Sequence, residues 1–510
     1  MKDDAALVAK FNLLVYAYIF FCAFIMSMSC LSSPFSIKTP GIDSSVFIYV
    51  AQVILDGGMP YKDTFDHKGP LIYLINAVGL LIDSGAGVWL LELFTIFIIF
   101  LYTYKIARLL CCDKLLSCLV VAAGMHVLFW YFDGGNYTEE YACAFIVISL
   151  FTILKIFFNR RVGKLEIVAC GFSFACVCLL RPNLTALWFA MPVSIMLYAS
   201  RFRGFQYRSK DFVKYIYLFL TGVAVIVLPV LFWLCSNNAF HDFINDYILF
   251  NLQYTSNREQ ASAAHIFSAF KAFLTEPPVL VSIVGLGYLT LVETVASDCF
   301  CLVTLFLSIV ASSISGRCYS HYGIILYPFC IYALVRAFER SNIFRIKYYG
   351  ILKVNKMEIS YNFPKIFVIV SIIIMVVTFS VSNISGNFSL ECNDLTDEKK
   401  VASMVKKLTE PNETISVVGN GDYYYLLSER RSASKYSYQL PVASINPNIW
   451  EEYKRDIVVT KPKVILVLTW QQVDRMWPYR GIQDIVRYSY DMIDTMNGVE
   501  IYLRNSGDEQ

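Results

Sequence analysis

Stretches of about twenty nearly uncharged, apolar residues recur along this 510-residue chain, and they decide what it can fold into. A helix needs roughly 20 such residues to cross the hydrocarbon of a bilayer. Candidates are 11–31, 88–107, 115–132, 141–158, 165–181, 184–199, 215–235, 279–296, 299–315, 322–337 and 365–382, about eleven in all. Only 16% of the residues are charged and 57% are hydrophobic, whereas a soluble domain carries about 25% charged residues. The expected fold is a polytopic α-helical membrane protein. A net charge of +3 gives no footing for a nucleic-acid partner. Most of the 15 cysteines lie in apolar runs, where cysteine serves as a small hydrophobe. No CxxC pairing with metal spacing occurs, so neither a disulfide framework nor a zinc site is expected. The first run is long enough to span and no A-x-A-like cleavage site follows it, so no cleavable signal peptide is expected.

Lys and Arg gather on alternate connections, as the positive-inside rule requires. Lys2 and Lys10 precede the first run, and Lys105, Arg108 and Lys114 follow the second. Arg160, Arg161 and Lys164 follow the fourth, and five more basic residues at 201–214 follow the sixth. With a cytoplasmic N-terminus all of these lie inside. The first loop 33–87, the loop 133–140, the segment 236–277, the turn 316–321 and the C-terminus then lie outside. Residues 236–277 mix aromatic and charged groups like one or two helices in the membrane interface. From about residue 383 the composition changes. ISVV at 415–418 and VILVLT at 464–469 read as buried strands, and 499–503 as a last one. Residues 396–408 and 448–459 read as amphipathic helices. The expected organisation is a membrane domain, 1–382, and a small extracytoplasmic α/β domain, 383–510.

The first outer loop concentrates the chemistry. Asp43, Asp56, Asp63, Asp66, His67 and Lys68 fall within 26 residues. Asp43 opens a helix with one apolar face. It either caps that helix or holds a carboxylate at the membrane surface as a general base. Lys68 precedes Gly69-Pro70, and proline at the first helical position starts a second apolar helix. Its ammonium either snorkels or clamps a phosphate. Three further clusters fall on the same outer side. Arg181-Pro182-Asn183 is flanked by apolar residues, which makes a charge there a functional candidate. Asp133 to Glu140 carries Glu139 and Glu140, which either favour a helix start or bind a ligand. Arg317 to Tyr322 joins Arg317, His321 and Tyr322. A transporter should instead show internal repeats and ionisable groups near mid-span. No repeat is apparent, and Glu92 and Lys155 are the main mid-span charges.

The segment DSSVFIYVAQVILDGGMPYKDTFDHKGPLIYL at 43–74 resembles the first extracytoplasmic loop of bacterial GT-C glycosyltransferases. These are the polyprenyl-phosphate-sugar-dependent enzymes related to protein O-mannosyltransferases and to the aminoarabinose transferase that modifies lipid A. Asp43 matches the family's first acid, Gly58 to Tyr61 its middle, and Asp66-His67-Lys68-Gly69-Pro70-Leu71 its acidic-Lys-Pro-Pro-Leu segment. GGNYTEEY, LLRPN and 317–322 match more weakly. Here Ser44 stands where a second acid is frequent, His67 is inserted, and Gly69 replaces the first proline.

The resemblance implies a GT-C fold in a bacterial cytoplasmic membrane with its active site outside. It implies a sugar donor linked to polyprenyl phosphate and a glycan, lipid or protein acceptor, with membrane lipid around both. Asp43 is then the catalytic base. Lys68, with Arg181 or Arg317, binds the donor phosphate. Asp66, His67, Glu139, Glu140, His321 and Tyr322 contact sugar or acceptor. A divalent cation, Mg or Mn, would rest on Asp43. The rival readings are a transporter or flippase of lipid-linked sugar, using the same charges without chemistry, and a surface-glycan polymerase or ligase using a diphosphate-linked donor.

Overall fold

A computed structural model gives the fold and describes residues 2–36, 38–111, 114–197, 209–256, 262–292, 295–340, 397–440, 442–468 and 481–505. The helices run α1 (Lys2–Ser27), α2 (Ile42–Leu55), α3 (Pro70–Ile82), α4 (Gly87–Cys111), α5 (Lys114–Tyr131), α6 (Thr138–Phe157), α7 (Lys164–Leu180), α8 (Ala186–Leu197) and α9 (Ser209–Ser236). They continue as α10 (Phe240–Phe243), a π-helical turn at Ile244–Leu249, α11 (Phe250–Ser256), α12 (Ala263–Thr275), α13 (Pro277–Val292), α14 (Ala296–Ser313) and α15 (Tyr327–Arg340). The chain divides into two compact units. One comprises Met1–Ser33, Trp89–Pro229 and Glu259–Gly386, the other Pro34–Val88, Val230–Arg258 and Asn387–Gln510.

Six helices in the described residues are long and apolar enough to cross a membrane: 87–110, 114–131, 138–157, 213–236, 296–313 and 320–339. A seventh results if α12 and α13, bent by 75° where Glu276 meets Pro277, count as one span. The chain is polytopic, but the expected eleven spans are not reached among the described residues. The runs at 165–181 and 184–199 are cut apart where Pro182 ends α7, leaving helices of 17 and 12 residues. The run at 365–382 lies outside the described residues. The segment 236–277 holds helices, as expected, and α12 carries its apolar residues on one side.

Within the first unit, backbones approach closely where glycine allows it. A Cβ on Gly171 of α7 would lie 1.9 Å from the Phe219 carbonyl of α9, and one on Gly222 would lie 2.0 Å from the Val168 carbonyl. Two ion pairs tie helices of this unit together, and pairing offsets the cost of placing a charge in apolar surroundings. Arg336 donates to both Asp298 oxygens, at 2.7 and 2.8 Å, and Tyr332 adds a hydroxyl at 2.6 Å. Lys155 donates to both oxygens of Glu166, at 2.6 and 2.7 Å.

The second unit is built on a mixed five-stranded sheet in the order β2-β1-β3-β5-β4. Its strands are β1 (Thr414–Val418), β2 (Arg431–Ser432), β3 (Val464–Leu468), β4 (Tyr490–Met496) and β5 (Val499–Arg504). The buried strands β1 and β3 pair in parallel, as strands covered on both faces do. Helices at Asp397–Leu408 and Asn448–Thr460 match the amphipathic stretches read from the sequence. The sheet core also includes two residues from the loop 33–87. Tyr49 and Val53 of α2 pack with Val401, Val405, Ile415, Val417, Tyr425 and Leu466. Burying each such side chain is worth about 1.5–3 kcal/mol. The Tyr49 ring lies 5.0 Å from that of Tyr425, and its hydroxyl accepts the Ser432 amide at 2.9 Å.

Candidate functional site

The second unit gathers Asp43, Asp66, His67 and Lys68. Gly41 is the N-cap of α2, so Asp43 sits in the first turn rather than capping it, half-buried. A carboxylate there is favoured by the helix dipole. Gly69 is the N-cap of α3 with Pro70 at its first position, as the sequence predicts. Lys68 therefore lies immediately before a helix N-terminus, where an anion is also favoured.

The loop between α2 and α3 is held open by an unusual backbone. Tyr61 is fully buried at φ +69°, a conformation rare for a bulky residue. Its hydroxyl donates to the Lys68 carbonyl at 2.7 Å, and Tyr73 donates to the same oxygen at 3.2 Å. Asp66 is buried and fully bonded. Its Oδ1 accepts the His67 amide at 2.7 Å and the Tyr438 hydroxyl at 2.7 Å, while Oδ2 accepts the Tyr73 hydroxyl at 2.8 Å. Burial opposes its charge, but the hydrogen bond to His67, the Lys68 charge and the Tyr438 hydroxyl hold it well below the usual carboxylate range. The His67 ring stacks on Tyr254 at 5.4 Å, and its carbonyl accepts the Asn251 amide at 2.6 Å. Asn251 and Tyr254 follow the π-helical turn, a device frequent at functional sites.

Tyr438 is the hub. Its phenol is driven well above its ordinary value by burial, then by Asp66, Asp422 and Asp43 in that order. Asp43 and the Asp66-His67-Lys68 segment thus bear on one hydroxyl. Asp422 is wholly buried, with one oxygen accepting from Ser437 at 2.6 Å and the other without a hydrogen-bond partner. Burial pushes its carboxyl up to about 7, and Asp66 adds to the rise.

The first unit brings together Glu139, Arg181, His321 and Tyr322. Arg181 pairs with Glu139, which also accepts the Thr138 hydroxyl at 2.8 Å. The guanidinium lies 4.3 Å from the centre of the Tyr322 ring. His321 stacks flat on Tyr137 at 3.9 Å, with Nδ1 3.7 Å from Asp133. The nearness of that ring lowers the Asp133 carboxyl. Glu140 does not join Glu139, because adjacent helical residues point to different faces. It accepts the Asn136 amide at 2.9 Å instead. The Gly134-Gly135-Asn136 turn has φ of +89°, +81° and +57°. A Cβ on Gly135 would sit 2.1 Å from an oxygen of Glu92. Arg317 is half-buried in the turn that follows α14.

No group of three or more His, Cys, Asp or Glu side chains among the described residues is placed to hold a metal ion, and the neighbour of Asp43 is a buried serine. Tyr61, Tyr73, Asn251, Tyr254, Asp422 and Tyr438 are absent from the set the sequence suggested. Nothing marks them there, since the chain has 34 tyrosines.

The fold is the GT-C fold. Residues 5–381 match the family model described as the putative competence-induced protein Ccs4 N-terminal domain, and the chain belongs to that family. None of the curated proteins matches it in sequence. Among solved structures it is similar to ArnT from Cupriavidus metallidurans bound to undecaprenyl phosphate, with a TM-score of 0.63, 12% identity and 98% of each chain covered. The apo state of that ArnT gives a TM-score of 0.61 at 11% identity, covering 97% of this chain and 98% of the other. The oligosaccharyltransferase of Archaeoglobus fulgidus in its apo form gives 0.54 at 12% identity, with 97% of this chain and 75% of that one covered.

Proposed function

We propose that the chain is an inverting glycosyltransferase. It moves a sugar from a polyprenyl-phosphate donor to a glycan, lipid or protein of the cell envelope, on the extracytoplasmic side of a bacterial cytoplasmic membrane. The observation that carries this reading is a GT-C fold in which Asp43 sits in the first turn of α2 and Lys68 just before the N-terminus of α3. A base and a cation for phosphate are what a single displacement at the anomeric carbon requires.

Asp43 takes the proton of the acceptor hydroxyl as its oxygen attacks the anomeric carbon. The bond from that carbon to the phosphate oxygen breaks. The electron pair leaves with polyprenyl phosphate, whose charge Lys68 and the N-terminus of α3 stabilise. No step is routed through a metal. Arg181 and Arg317 are proposed as further cations for the donor phosphate, although the pairing of Arg181 with Glu139 suits it better to orienting that carboxylate. Glu139, His321 and Tyr322 are proposed contacts for sugar or acceptor, as are Asp66 and His67. The bond from Asn136 gives Glu140 a part in shaping the turn before α6. The ArnT neighbour is bound to undecaprenyl phosphate, and an archaeal oligosaccharyltransferase neighbour is in complex with a dolichol-phosphate, which supports a lipid-phosphate donor.

Lipid extracts of cells lacking the protein test the reading. The expected result is accumulation of a polyprenyl-monophosphate-linked sugar. Accumulation of a diphosphate-linked glycan instead would favour a polymerase or ligase. Monophosphate-linked sugar trapped on the cytoplasmic leaflet would favour a flippase.

A further inference from the structure

The C-terminal segment 431–438 grips the first outer loop at several points. Arg431 pairs with Asp56 and the Phe65 amide donates to the Lys435 carbonyl at 2.9 Å, while the Lys435 side chain pairs with Asp246 of the π-helical turn at 2.8 Å. The grip ends at Tyr438, whose hydroxyl meets Asp66. We infer that Tyr438 is a positioning residue for Lys68: its hydroxyl fixes the Asp66 carboxylate and the His67 ring, and His67 aims the Lys68 ammonium. The inference rests on the reading of Lys68 as the donor-phosphate clamp.

The hydrogen-bond chemistry allows one arrangement. An ammonium has three donors and no acceptor. His67 Nε2, 3.0 Å from Lys68 Nζ, therefore presents its lone pair. The ring is neutral and carries its proton on Nδ1, which lies 3.3 Å from Asp66 Oδ1 and 3.4 Å from the Tyr438 hydroxyl. The tautomer is set by what Nδ1 faces, as for any imidazole held by a carboxylate. Asp66 keeps that orientation because Tyr438 and Tyr73 each occupy one of its oxygens.

Tyr438 is itself on a rigid support. Its neighbour Ser437 bonds to Asp422 at 2.6 Å, and the Gln439 amide bonds to the Gly419 carbonyl at 3.2 Å, just beyond β1. The Gln439 side chain reaches Val417 of β1 at 3.2 Å. A lysine on a flexible stem becomes a directed donor only when such a chain of contacts holds it. The sheet of the C-terminal segment thus reaches Lys68 through Tyr438, Asp66 and His67.

The experiment uses the full chain in lipid nanodiscs, undecaprenyl phosphate as the probe, and Tyr438→Phe, which removes only the hydroxyl. With 15N-labelled histidine, and His67→Gln to assign the signal, wild type should show His67 as the neutral Nδ1–H tautomer. Tyr438→Phe should move the His67 ring signal away from its wild-type position. Lys68→Ala should raise the Kd for undecaprenyl phosphate more than tenfold, and Tyr438→Phe about fivefold, the net worth of one ordinary hydrogen bond. The double variant should bind no worse than Lys68→Ala, as expected when two residues act through one contact. An unchanged His67 signal in folded Tyr438→Phe overturns the inference. So does a Tyr438→Phe effect of the same size with and without Lys68. Undiminished binding by Lys68→Ala would instead overturn the phosphate-clamp reading, while the histidine signal still decides whether Tyr438 sets the ring.

Discussion

A carboxyl that keeps its proton near neutrality leaves a mark on stability, and Asp422 and Asp66 should do so with opposite signs. Asp422 is raised to about 7 in the folded chain, against about 3.9 when unfolded. The folded state then holds the extra proton, so its contribution is fully present below about pH 4 and is lost as the pH rises through about 7. Asp422→Asn keeps an acceptor for Ser437 and removes the charge. It should raise the melting temperature more at pH 8 than at pH 5, and equal shifts at both would contradict the assignment. Asp66 is depressed, so its contribution is present above about pH 3.9 and is lost only as the pH falls through its lower folded value. Asp43, Asp66, His67 and Lys68 were legible in the sequence because ionisable groups stand out in an apolar chain. Tyr438 was not, because one tyrosine hydroxyl 372 residues from its partner leaves no local pattern.

At the scale of elements, α2 is the main surprise. Its sequence reads as a helix with one apolar face, whose cover it does not name. Tyr49 and Val53 belong to the core of the C-terminal sheet. Periodicity reports that a face is buried, not what covers it. Tyr49→Ala should therefore cost about 3–5 kcal/mol, read as a large fall in the unfolding midpoint of the purified protein. A fall no larger than that of an exposed-site control such as Leu81→Ala would show that α2 is not part of that core. Gly135→Ala should be similarly severe, since it forces a side chain into a positive-φ turn against Glu92, and about 1–3 kcal/mol of overpacking adds to the backbone strain. The central strands were legible from their apolar runs. Strand β4 was missed because it is a mostly exposed edge strand with a register shift between Met492 and Asp494. The signal that could have found it is Asn497-Gly498, both at positive φ, the two-residue turn that joins β4 to β5.

For the whole molecule, the apolar runs foretold a membrane protein, and the described residues hold six helices long and apolar enough to span, or seven with the bent pair counted as one. Orientation is open to a direct test. Cys318 is exposed in the turn beside Arg317. A membrane-impermeant maleimide should label it in intact protoplasts, and Cys318→Ser should remove that labelling. Labelling of Cys318 only in inverted vesicles would place the turn on the cytoplasmic side. The central claim is glycosyl transfer, and it is tested most directly with purified protein and radiolabelled sugars on undecaprenyl phosphate, presented as a panel with envelope acceptors. The account predicts transfer of one sugar by the wild type, with the rate falling about 100-fold or more in Asp43→Asn and in Lys68→Ala, since each removes a group acting in the transition state. Wild-type rates in both folded variants, or movement of the donor across vesicles with its sugar–phosphate bond intact, would contradict it.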